Sequence, residues 1–287
     1  MQTVERMAGL FVQQREWRSW LIYAFFLGGL GAGLYIVSLI LNYTLGMILG
    51  LLIVGVGKNG CHLLFLGKRL RFWRLFSRPG TSWISRGGIC IVLFCILGFL
   101  YILPGISGVE WGGSFTTFLA ITSVASALGV MLYTGFVMAT AISIPAWNSA
   151  VLPLAYSIYA FMGGLDIVLI LDGILEAKLP VGVHNIEAVQ IVVMSLGLLI
   201  VISYLVQLNR SNDAGRQTVK LLFNEYAPMF VGGVLLLGIV ALILVIVSFL
   251  QGSTPLIMIL SGVCALIASF LLRVSLFKVG VYNPLLS

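Results

Sequence analysis

The chain has 287 residues, of which 60% are hydrophobic and 9% charged, with a formal net charge of +7 and a mean hydropathy of +1.13. Soluble domains hold roughly 45–50% apolar residues, so water is excluded as the solvent for most of this chain and an integral membrane protein is expected. The positive charge falls in short stretches between apolar segments, which points to membrane topology rather than nucleic acid.

The opening MQTVERMAGLFVQQREW carries Glu5, Arg6, Arg15 and Glu16 but no apolar core ending in a small-residue cleavage site, so the first apolar segment is expected to stay in the membrane. A crossing helix needs about twenty apolar residues. Eight segments qualify, at roughly 19–42, 43–66, 86–104, 116–143, 151–172, 186–209, 227–250 and 254–277. They are joined through turn chemistry at Asn42-Tyr43, Pro104-Gly105, the run IPAWNSA at 144–150, Pro180 with Gly182, Asn212 to Gly215, and Gln251-Gly252. The expectation is an all-α integral membrane protein, a single polytopic domain over 1–287 with an N-terminal cytoplasmic segment at 1–18 and a basic docking loop at 67–86. In the first helix, FLGGLGAG holds Gly28, Gly29, Gly31 and Gly33. No strand precedes it, so close helix packing is expected instead of a dinucleotide site. Cys61, Cys90, Cys95 and Cys264 lie in or beside apolar segments without paired spacing and read as packing residues, with no metal site.

Six of the sixteen Lys and Arg residues crowd into LGKRLRFWRLFSRPGTSWISRGG, residues 66–88. On alternate sides of the eight segments, fourteen basic residues face the side of the N-terminus, Arg273 and Lys278 among them, whereas the other side has Lys178 alone. By the positive-inside bias both termini are expected to be cytoplasmic. Arg69, Arg71, Trp73, Arg74, Arg78, Trp83 and Arg86 combine arginine with aromatic rings, the composition enriched in docking surfaces. Lipid head-group binding by the same loop is the alternative.

The passage at 66–88 resembles the loop after the second helix of the NrfD/PsrC family, the membrane subunit of polysulfide-reductase-like complexes. LYTGFVMATAISIPAWNSAVLPLAYSIYAFMGG (132–164) resembles that family's fourth helix, IPxWN turn and fifth helix. LFKVGVYNPLLS resembles its ending, and FLGGLGAGLY its first helix. The resemblance implies an eight-helix bundle in a plasma membrane that docks an iron-sulfur subunit, and through it a catalytic subunit. It would exchange electrons with menaquinone or ubiquinone, possess no haem or metal of its own, and could translocate protons. The chain departs from the family pattern at two points: Phe65 stands where a His or Asp is common, and Arg69 replaces the Pro of the L-G-R-P loop motif. His62, one turn deeper, is the nearest candidate for the missing proton-handling group.

Ionisable groups at hydrocarbon depth are functional candidates by default. Lys58 and His62 are four residues apart on one helix face with Asn59 beside them. At ~1.5 Å per residue, Lys58 lies about 12 Å and Tyr133 about 15 Å below the same surface. A quinone site asks for donors to two carbonyl oxygens and a proton-exchanging group in an apolar slot, which Lys58, Asn59, Tyr133 and His62 could supply. The plainer readings are a snorkelling or paired Lys58, an interhelical hydrogen bond from Tyr133 and a helix-packing amide at Asn59. Asp166 and Asp172 on the fifth helix could relay protons to the opposite face or serve as structural partners. His62 and His184 fall at opposite ends of the bilayer, which excludes bis-histidine haem. A secondary transporter and a purely structural membrane anchor remain as rival readings.

Overall fold

A computed structural model describes residues 11–17, 19–175 and 179–283. Eight helices in it are long and apolar enough to cross a membrane: α1 (Ser19–Ile40), α2 (Thr44–Phe65), α3 (Trp83–Ser107), α4 (Gly113–Ala139), α5 (Val151–Leu175), α6 (Val183–Ser211), α8 (Pro228–Leu250) and α9 (Pro255–Lys278). Their order and limits follow the apolar segments of the sequence, including the tight α1–α2 junction, where Asn42 adopts a left-handed φ of 50°. Among the described residues there are no strands beyond one antiparallel bridge, between Gln13 and Val281. It ties the residues before α1 to those after α9, with Gln14 N–H donating to Gly280 O at 2.8 Å.

Helix α1 is the hub. Of its most apolar stretch 83% is buried inside the protein, against 56% or less for every other span. The reason is its glycines. A Cβ on Gly31 would approach the Gly50 carbonyl of α2 to 2.6 Å, and one on Gly33 would overlap the Ala160 backbone of α5, so α2 and α5 press on opposite flanks of α1 at backbone distance. Apolar side chains such as Val56, Ile96 and Ile121 point outward on the other helices, as they would toward lipid.

Three features were not expected. Residues Ile53–Lys58 of α2 form a π-helical turn, as do Pro228–Leu236 of α8. A surface helix, α7 (Asp213–Phe223), occupies what reads as a loop. Asn212 caps it by accepting from Gly215 N–H at 2.8 Å, and it seats Ala214, Thr218 and Leu222 on the bundle. Third, Arg273 is not a loop cation: it is 2% exposed inside the bundle. The basic tally on the N-terminal side is therefore thirteen, still against Lys178 alone. Arg6, Arg18, Glu176 and Lys178, and the last four residues, lie outside the described residues.

Candidate functional site

The π-turn delivers Lys58 to the interior, where it is 1% exposed. Its stem lies on the bare backbone of Gly28: a Cβ there would meet Cδ and Cε at 2.9 Å. Its Nζ stands 5.4 Å from the ring centroid of Tyr133, and no carboxylate among the described residues lies within ion-pair distance of it. Tyr133 on α4 is held against Gly87 of α3, which has no room for a side chain. His62 follows Lys58 by four residues and reaches the same space. There Phe25 of α1 stands between the two rings, its centroid 6.0 Å from His62 and 6.1 Å, edge-on, from Tyr133. The Tyr133 hydroxyl and His62 Nδ1 are buried without a partner of hydrogen-bond geometry.

The structure thus brings together three of the four residues expected at one depth. With α4 ending at Ala139, Tyr133 lies about 9 Å and Lys58 about 10 Å below the surface nearest them, counted from their helix ends. Asn59 differs: its amide donates to the Gly55 carbonyl of its own helix at 3.2 Å, within a turn whose wide π spacing loosens the regular ladder. Sequence reasoning missed Phe25, whose ring is the packing at the centre of the group.

A second polar set lies across α1. Asp166 on α5 is fully buried, and Gln190 of α6 donates to its Oδ1. Glu187, also fully buried, accepts from Ser253 Oγ at 2.5 Å. Asp172 is buried near the end of α5. Together with burial, its carboxylate raises the pKa of the phenol of Tyr43, in the α1–α2 turn. Arg273 donates to Ser269 O (3.1 Å) and Ser269 Oγ (2.7 Å), and its guanidinium lies 5.3 Å and 5.2 Å from the ring centroids of Phe26 and Tyr156.

With this geometry in view, the family model described as polysulphide reductase, NrfD, matches residues 11–283. The chain belongs to the NrfD family. No curated protein matches it at a significant level. NrfD subunits generally anchor oxidoreductase complexes in the membrane and partner with their iron-sulfur subunits.

The basic face of this NrfD chain divides into two parts. A 3-10 helix, Arg69–Phe76, holds Arg69, Arg71, Trp73 and Arg74 exposed, with Leu70 93% exposed beside them, and Arg78 follows in the turn after it. Leu75 and Phe76 pin this helix against Gly88. Trp83 and Arg86 are placed otherwise. Trp83 stacks on Phe136 at 4.2 Å, and Arg86 covers the Trp83 ring while donating to Pro79 O (2.9 Å) and Gly80 O (2.7 Å). These two fold the loop back onto α3, and the outward-facing cations of the loop are those from Lys68 to Arg78, with the Arg74 guanidinium 5.7 Å from the centroid of the Trp73 ring.

Proposed function

We propose that this chain is the quinone-binding membrane anchor of a respiratory oxidoreductase, passing electrons between an iron-sulfur subunit seated on its basic face and menaquinone or ubiquinone. The observation that carries the reading is the convergence of Lys58 Nζ, His62 Nδ1 and the Tyr133 hydroxyl within one half of the bundle, beneath the exposed arginines, two of the three with no partner of good hydrogen-bond geometry. A quinone head group offers two oxygens that accept hydrogen bonds and takes up two electrons and two protons. Lys58 and Tyr133 are donors for those oxygens, and His62 is the group suited to exchange a proton with the nearby surface. Phe25 occupies the space between them, so a head group would reach all three only with that ring turned aside. The chain's own contribution is orientation, hydrogen bonding and proton exchange; electrons arrive through the docked clusters. The excess of Lys and Arg on this side supports a cytoplasmic orientation of this face and of both termini, in a plasma membrane.

The test uses the full chain in lipid nanodiscs and a short-tailed photoreactive quinone. Crosslinks on α1, α2 and α4 around Phe25, His62 and Tyr133, suppressed by unlabelled menaquinone or ubiquinone, support the assignment. Crosslinks confined to other helices, or unaffected by competitor, refute it and leave a structural anchor.

A further inference from the structure

We infer that Asp166, Gln190 and Glu187 form a proton-holding file that opens to the face opposite the basic loop. Gln190 Nε2 donates to Asp166 Oδ1, which leaves Asp166 Oδ2 and Gln190 Oε1 without partners. Glu187 precedes Gln190 by three residues on α6, on the same helix face. Its Oε2 accepts from Ser253 and its Oε1 has no partner. All three side chains are fully buried. Three acceptor oxygens therefore stand in the bundle with no hydrogen to satisfy them.

The charge balance is equally one-sided. Helices α1, α4 and α8 contain no ionisable Asp, Glu, His, Lys or Arg, and the cations of α9, Arg273 and Lys278, sit at the opposite end of that helix. On α6 the other titratable groups are His184, whose ring stacks on Phe249 at 3.8 Å, and, toward the far end, Tyr204 and Arg210; on α5 they are Asp172 and, toward the other end, Tyr156 and Tyr159. Lys58 and His62 of α2 lie across α1. An isolated carboxylate at hydrocarbon depth costs several kcal/mol, and a bound proton removes that charge while supplying the missing donor. A proton on Asp166 Oδ2 would neutralise the inner end and turn an unpartnered acceptor into a donor, and the unpartnered Glu187 Oε1 is the next acceptor toward the surface.

The file leads from Asp166 through Gln190 and Glu187 toward Ser253. Its mouth is Ser253, in the α8–α9 turn with a left-handed φ of 68°. Toward Lys58 it is closed by the contact of Gly33 with Ala160 and Gly164, where no side chain fits. This assignment does not rest on the quinone reading, and its test uses no quinone.

In nanodiscs, the full chain is treated with dicyclohexylcarbodiimide, which modifies carboxyl groups that carry a proton in apolar surroundings, and the sites are mapped by mass spectrometry. Labelling at Glu187 and Asp166, but not at the exposed Glu110, and undiminished by sodium chloride, is expected. Infrared spectra of the same preparation are expected to show a protonated-carboxyl band that shifts in D2O and loses part of its intensity in Glu187→Gln and in Asp166→Asn. Protection by sodium would assign the site to a metal cation and overturn the proposal. Absence of both label and band in the unmodified protein would overturn it as well, whatever the folding of the variants.

Discussion

Replacing Lys58 by Met separates function from stability by the sign of two changes. Lys58 is 1% exposed and its Nζ lies 5.4 Å from the centroid of the Tyr133 ring, with no carboxylate among the described residues to pair with it. A desolvated cation over an aromatic face gains about 2 kcal/mol, whereas burial of a charge without a paired partner costs several kcal/mol even after relaxation. Methionine has a similar length and no charge, and it can lie along Gly28 as the lysine stem does. Lys58→Met is therefore expected to stabilise the protein by about 1–3 kcal/mol. Quinone affinity is expected to fall, because a hydrogen bond to a charged group is worth about 1.5–3 kcal/mol, roughly a ten- to hundredfold change. Thermal melting in nanodiscs reads the first quantity, and quenching of tryptophan fluorescence by a titrated short-tailed naphthoquinone reads the second. A variant that melts lower while binding quinone unchanged would show Lys58 to be a structural residue and refute the reasoning.

Tyr133→Phe removes a buried hydroxyl that lacks a partner, so stability should change by less than about 1 kcal/mol while quinone affinity falls by up to about tenfold; the same two assays apply. Gly28→Ala meets the flexible stem of Lys58, whereas Gly33→Ala meets the Ala160 backbone. Thermal melting should show the second destabilised by about 1–3 kcal/mol and the first by less, with quinone binding lost mainly in the first. Arg86→Ala frees the carbonyls of Pro79 and Gly80 and uncovers Trp83; limited proteolysis should then cut the 66–82 segment faster, with the transmembrane bundle left intact.

Length and hydropathy carried the eight spans because each must cover the same hydrocarbon thickness, and punctuation by Asn, Pro and Gly carried the turns between them. The i,i+4 spacing of Lys58 and His62 and the matched depth of Tyr133 were equally legible. Other features turn on packing partners that periodicity does not name. Arg273 reads as a topological charge because it falls near the end of a span, yet Ser269 one turn earlier and the rings of Phe26 and Tyr156 hold it inside. Glu187 stands near the start of α6, where an acid would be expected to meet the surface, yet it is fully buried, and Gln190 carries no charge to draw notice. Asn59 serves its own helix because of a π-turn that has no compositional mark. The surface helix α7 did leave a signal, in the Asn212 cap and the four-residue spacing of Ala214, Thr218 and Leu222.

Helix α1 acts as a party wall. Gly28 on one side bears the aliphatic stem of Lys58, and the neighbouring Gly29 lies against Arg273 and Ala160 on the other, so two interior cations lean on adjacent residues of one thin partition. Because glycine leaves no cushion of side-chain atoms to absorb a displacement, a small slide or rotation of that partition is felt in both rooms at once.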